Sequence, residues 1–210
     1  MDDARQNTER SFWDSFAGRY DSFMKNVSET YSGIINYIAP ELGRDHSVLE
    51  VASGTGLISL EIAGKVRAVH GIDISPKMVA IATKKAADRG ISNVGFSVQD
   101  AYSLPFEDNC FDVVLAPNVL HIMIEPERAL REIYRVLKKE GIFCAPTYCH
   151  GQSLFSGILS RLMGIAGFRA YHRWSSDTFA GFIEMNNFHI TDSMIVKDKI
   201  PLFCFKAVKK

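Results

Sequence analysis

The chain of 210 residues is poor in cysteine, and its four thiols (Cys110, Cys144, Cys149 and Cys204) include no C-x-x-C pair and no partnered H-x-x-x-H. That spacing excludes the usual zinc frameworks, so no metal is expected. It also reads as reduced thiols in or near the core of a cytoplasmic protein. Excess charge is missing too. Lys and Arg number 24 against 24 Asp and Glu, so nothing points to nucleic acid as a bulk partner. No run of about eighteen apolar residues occurs, which argues against an integral membrane anchor. The opening Met1-Asp2-Asp3-Ala4-Arg5-Gln6 is polar and acidic, unlike a secretory signal. Hydrophobic residues are not scarce: at 47% they supply the core of one full domain.

The chain is organised around Ser47-Val48-Leu49-Glu50-Val51-Ala52-Ser53-Gly54-Thr55-Gly56. Val48, Leu49 and Val51 form the short apolar run of a buried parallel strand. Ala52, Ser53, Gly54 and Gly56 are small enough for a backbone to approach a ligand closely. Leu57, Ile58, Leu60, Ile62 and Ala63 then follow at helical spacing. Strand, glycine turn and helix make a nucleotide site, with the N–H groups of the helix start turned to the ligand. A dinucleotide fingerprint would need glycine where Ala52 and Leu57 stand, and a P-loop would need a lysine that is absent. Glu50, near the carboxyl end of the strand, would repel a pyrophosphate and attract a cation. A nucleoside without phosphates, carrying an ammonium and a sulfonium, suits these residues.

The E-x-A-x-G-x-G stretch from Glu50 to Gly56, followed by Gly71-Ile72-Asp73-Ile74, resembles the glycine-rich motif of class I S-adenosylmethionine (SAM)-dependent methyltransferases. Asp73, 17 residues beyond Gly56, stands where an acidic residue reaches ribose hydroxyls. Its alternative, capping the next helix, is better served by Ser75 with Pro76 at the first turn. Ile74 and Met78 are then placed to line the adenine. The resemblance implies that Asp100 and the backbone of Ala101 read the adenine edge. Leu104-Pro105-Phe106 and Phe111-Asp112 match the family's stretch before its fourth strand. Phe12-Trp13-Asp14 and Ala17-Gly18-Arg19-Tyr20-Asp21 resemble the N-terminal lid of the small-molecule members, which implies Tyr20 at the methionine end of SAM. Similarity runs over about residues 11–148 and is closest to the ubiquinone/menaquinone-biosynthesis-like (type 11) group, which also carries alanine at position 52.

Strand four, Phe111 to Ala116, opens onto Pro117-Asn118-Val119-Leu120-His121, the strand end where chemistry in such sheets sits. Asn118 joins the expected cofactor contacts. His121 is the candidate catalytic residue, as a general base if the nucleophile arrives protonated. The alternative is a histidine packed at a helix start. A helix from Pro126 is expected to end at Lys138-Lys139 before Gly141. Residues 153–168 are markedly apolar, with Arg161 the clear charge. They read as a cover for the acceptor pocket or, exposed, as a membrane-surface element. Ser175-Ser176-Asp177 caps a further helix, and 188–197 and 201–208 read as strands.

The expected fold is a single α/β domain over residues 1–210. It is a doubly wound, mainly parallel seven-stranded Rossmann-like sheet, with lid helices in 1–40 and acceptor-covering helices in 150–187. The expected activity is in-line methyl transfer from SAM to a small-molecule acceptor, giving S-adenosylhomocysteine, in a monomer or homodimer. Two alternatives stay open: an acceptor that is a lipid or membrane-held quinone, with peripheral membrane contact, and a regulatory subunit that binds SAM without turnover.

Overall fold

The computed structural model describes residues 2–24, 28–149, 170–196 and 201–210. Strand β1 (Ser47–Val51) is buried at every position. It lies between β2 (Ala68–Asp73) and β4 (Phe111–Leu115), parallel to both. A strand flanked on both edges and covered on both faces has no solvent side, which is why Val48, Leu49 and Val51 are apolar on both faces. The pleat still sorts its residues. Leu49 and Val51 enter one core, and Val48 enters the other.

Strand β3 (Val94–Val98) forms the outer edge beside β2, and β5 (Leu137–Cys144) runs parallel to β4. The rest of the sheet is antiparallel. Strand β8 (Leu202–Lys209) pairs with β5, with the two-residue β6 (Thr147–Tyr148) and with β7 (Phe188–Val196). The order is β3-β2-β1-β4-β5-β8-β6, with β7 also on β8, so the described sheet has eight strands where seven were expected. The extra one is β6, too short to carry a sequence pattern.

Helices α1 (Asp2–Met24), α2 (Ser28–Ile38), α3 (Leu57–Ile62), α4 (Pro76–Asp88), α5 (Pro126–Val136) and α6 (Ser176–Met185) surround the sheet. Ile34, Ile38, Ile58 and Ile62 of α2 and α3 pack with Val48, Val69 and Val113 on one face. Leu130, Ile133, Phe179 and Ile183 of α5 and α6 pack with Phe143 and Phe205 on the other. Ser75 caps α4 by accepting from the Met78 N–H, and Ser175 with Thr178 forms a capping box on α6, so both helices start where their polar signals lie.

One expectation needs correction. Helix α5 ends at Val136, short of Lys138-Lys139, because Leu137 is already paired with Phe111 in the sheet. The register then jumps to Val113 opposite Ile142, which throws Lys138 to Gly141 into a bulge. Of the segment 150–187 expected over the acceptor, residues 150–169 lie outside the described residues, the apolar stretch 153–168 among them. Helix α6, at the end of that segment, packs Phe179 and Ile183 into the core.

Candidate functional site

The connection order reverses between β1 and β4: β2 lies on one side of β1 and β4 on the other. The crevice that this opens at the carboxyl ends of the strands is where open α/β sheets bind ligands. Both strands leave it through a left-handed residue. Ala52 follows β1 with φ 56°, and Asn118 follows β4 with φ 54°. Neither is glycine, and such a conformation costs about 1–3 kcal/mol in a side-chain-bearing residue. Gly54 (φ 54°) and Gly56 (φ 78°) meet the same demand without that cost.

Asp73, at the end of β2, ties this turn together. Its Oδ2 accepts from the Gly54 N–H at 2.9 Å and its Oδ1 from the Ser75 N–H at 2.9 Å. Burial pushes the Asp73 carboxyl above its ordinary value, against the pull of those two N–H donors. Asp100 holds the next loop, accepting from the Tyr102 N–H at 3.0 Å. Together with Glu9 of α1, Asp73 and Asp100 line a cavity of about 370 Å³. The described lining contains no Lys, Arg or His. Three carboxylates and no cation favour a positively charged ligand.

Of the residues expected to bind a cofactor, Tyr20, Ala52, Gly54, Asp73, Ile74, Met78, Asp100, Ala101 and Asn118 all line this one cavity. Ser53 and Gly56 sit beneath the turn, joined by the Gly56 N–H to the Ser53 carbonyl at 2.9 Å. Glu50 is placed apart from them. It is fully buried and outside the lining, and its Oε2 accepts from the Ser59 N–H at 2.9 Å and from the Ser59 hydroxyl. Desolvation pushes its carboxyl up to about 8. Residue 50 shares the pleat face of Val48, which packs on α3, and so it braces the turn from below. His121 is likewise set back. It is buried in the 3₁₀ turn Leu120–Ile122, outside the lining, while its neighbours Val119 and Ile122 form the wall. The His121 carbonyl accepts from the His172 N–H at 3.1 Å, holding the strand of chain that places Tyr171 at the cavity.

Helix α1 roofs the crevice. Glu9, Phe12, Trp13 and Tyr20 project from one side of it into the cavity. The aromatic spacing in the sequence signals that stripe, but Glu9 carries no signal of its own. The Tyr20 hydroxyl lies 3.1 Å from that of Tyr31, and burial pushes Tyr20 up to about 12. Its ring also closes over the glycine turn: a Cβ on Gly54 would lie 3.7 Å from it. Tyr102 presents its ring to the cavity with Arg128 behind it at 4.9 Å, while its hydroxyl accepts from the Glu125 N–H at 2.9 Å.

A sulfonium nucleoside fits these residues. The cavity has the volume of a small-molecule site, and the carboxylates of Asp73 and Asp100 put hydrogen-bond acceptors in its lining. The buried Oδ1 of Asn118 has no hydrogen-bond partner among the described residues, as expected of a group that a ligand completes. Tyr20 and Asn118 share the lining with Ala52 and Gly54.

Comparison with known proteins agrees with this geometry. Residues 49–145 match the family model described as a methyltransferase domain. The uncharacterized methyltransferase YcgJ of Bacillus subtilis is 35% identical over 103 residues, which is 49% of this chain and 41% of that protein, so the match spans about two fifths of the relative's length. The ubiquinone/menaquinone biosynthesis C-methyltransferase UbiE of Methylobacterium nodulans is 28% identical over 92% of this chain and 88% of its own. Among solved structures, the [4+2]-cyclase SpnF superposes with a TM-score of 0.71 at 25% identity, covering 83% of this chain and 80% of that one. With the motifs, the sheet order and the acidic crevice in agreement, residues 49–145 carry a methyltransferase domain of the SAM-dependent kind, and the chain is similar to the ubiquinone/menaquinone-biosynthesis C-methyltransferases.

Proposed function

We propose that the protein transfers a methyl group from SAM to a small, largely apolar acceptor. The observation that carries this reading is the two-sided cavity. Carboxylates of Asp73 and Asp100 line one part, and Pro117, Val119, Ile122 and Met123 continue it with an apolar wall. When bound, SAM supplies an electrophilic methyl group on a good leaving group. The chain's own residues then have three tasks. Asp73 and Asp100 fix the nucleoside, Tyr20 and Asn118 orient the reacting end, and the apolar wall with α1 excludes water. Tyr20 stays neutral with a pKa of about 12, and the Tyr102 hydroxyl is engaged with backbone. Neither suits proton removal near neutral pH, so positioning and desolvation carry the transfer, and His121 acts by holding the wall. His121→Ala should then lower kcat less than tenfold. A fall of about 10²–10⁴ would restore it as the general base.

The direct test incubates the protein with methyl-labelled SAM and a metabolite extract, then partitions the label. Label in the organic fraction supports this reading, and label in the aqueous fraction points to a polar acceptor. No label, with S-adenosylhomocysteine still bound, counts against turnover. Asp73→Ala should weaken S-adenosylhomocysteine by roughly 1–3 kcal/mol, since it leaves buried partners unmatched; unchanged affinity would remove the ribose assignment.

A second reading, a membrane-held quinone acceptor, is favoured by the named activity of the M. nodulans relative. No helix among the described residues is long and apolar enough to cross a membrane, so such an enzyme would work from the surface. Sedimentation with liposomes separates the two readings.

A further inference from the structure

Helix α1 does more than roof the cavity. From Glu9 to Tyr20 it rises eleven steps, about 16 Å at 1.5 Å per residue. Arg10, Asp14 and Asp21, spaced at i, i+4 and i+11, form a flank beside the face that lines the cavity, and each is bonded to its rim. Arg10 Nε donates to the Ile74 carbonyl at 3.4 Å. Asp14 Oδ1 accepts from the Ser75 hydroxyl at 2.5 Å and from the Lys77 N–H at 3.2 Å, at the positive end of α4. Asp21 Oδ1 accepts from the Thr55 hydroxyl at 2.6 Å, while its Oδ2 pairs with Lys85 Nζ at 2.5 Å. Lys85 also donates to the Thr55 carbonyl at 3.1 Å.

The partners are what matter. Ser75 is the residue whose N–H holds Asp73, and Thr55 is buried between Gly54 and Gly56. The two carboxylates of α1 therefore grip the two backbone segments that shape the cofactor crevice, one at each end of the helix's span. Helix α1 cannot lift while both grips hold, and neither grip touches the cavity itself: Asp14, Asp21, Ser75 and Thr55 are all outside its lining.

We propose that Asp14 and Asp21 are positioning residues that latch helix α1 over the cofactor, so that release of the cofactor product requires both latches to open. The proposal rests on the reading of this cavity as the SAM site. It concerns the rate of exchange, not the contacts that give affinity. Losing one latch should raise the release rate of S-adenosylhomocysteine roughly tenfold, with the association rate unchanged or faster, because the open roof no longer hinders entry.

The test is stopped-flow release of S-adenosylhomocysteine from the full chain and from Asp14→Ala, Asp21→Ala, the double variant, Asp21→Asn and Lys85→Met. Each alanine variant should release about tenfold faster and the double variant faster still. Asp21→Asn keeps an acceptor for Thr55 and loses the ion pair, so it should fall between wild type and Asp21→Ala and match Lys85→Met. Release from the wild type should quicken with salt as the Asp21–Lys85 pair is screened, and Asp21→Asn should lose that dependence. Wild-type release rates in both alanine variants would overturn the latch, as would a fall in association rate that accounts for the whole loss of affinity. Where an α1 variant fails to fold, Lys85→Met and the wild-type salt profile still decide, since a flat profile overturns the Asp21 latch. A wild-type protein that binds no S-adenosylhomocysteine overturns the cofactor reading beneath it, a result distinct from unlatched release.

Discussion

Glu50 shows what a single pleat position decides. The spacing of the glycine motif places a carboxylate near the ligand end of β1, and a carboxylate there invites pairing with the ligand's positive charge. Strand parity turns it away: residues 48 and 50 face α3, and residues 49 and 51 face the other core. The buried carboxyl consequently meets Ser59. Its pKa of about 8 against an ordinary 4.5 means that the folded protein holds this proton more tightly than the unfolded chain does. The associated stability is complete below about pH 4.5 and is lost once pH rises past about 8. Glu50→Gln keeps an acceptor for the Ser59 N–H and cannot ionise. The stability of the variant relative to wild type should therefore rise between these limits by up to about 1.4 kcal/mol per pH unit. Chemical denaturation at pH 5 and pH 8.5 checks this, and a constant difference would contradict the burial argument. Asp73, Asp100 and Tyr20 were legible in the sequence because motif spacing fixes their strand ends and the lid stripe. His121 was legible as a residue near the site, but its distance from the wall depends on how the 3₁₀ turn at Leu120–Ile122 is wound.

At the level of elements, the strand–turn–helix units were readable because polar caps and apolar runs agreed. Ser75 with Pro76 starts α4, and Ser175 with Thr178 starts α6. The end of α5 was not readable. Arg135, Lys138 and Lys139 continue a helical pattern with a basic last turn, and only the pairing of Leu137 with Phe111 stops it. Tertiary pairing overrode a local preference that was itself sound. Strand β2 has a comparable hidden constraint. A Cβ at Gly71 would lie 2.5 Å from the Phe96 ring and 2.9 Å from Ser53 Oγ. Gly71→Ala should cost about 1–3 kcal/mol through overpacking, measured by urea denaturation. The cost should shrink when Phe96 is also replaced by Leu, since the ring is the nearest obstacle.

For the whole molecule, binding and folding are linked. The crevice draws its walls from β1, β2 and β4, from the loop at Asp100 and from α1, so a ligand that bridges them favours the folded state over every partly open one. S-adenosylhomocysteine at a hundred times its Kd should add about 2.7 kcal/mol of stability. Thermal unfolding reads that as a rise in Tm, and Asp73→Ala should lose about 1–2.4 kcal/mol of it at the same ligand concentration.

The placement of β8 carries a consequence for how the chain is made. Residues 202–209 run between β7 on one side and β5 with β6 on the other. Phe203, Phe205 and Ala207 fill one core, and Leu202 and Cys204 fill the other. On the ribosome, β1 to β5 and their parallel pairings are all synthesised before β7 emerges. β7 must wait, because the one strand it pairs with among the described residues is still to come. The antiparallel half of the sheet is therefore assembled last and at once. Until then, nascent chains expose the apolar edge of β5, and this interval is when they most need the protection of a chaperone.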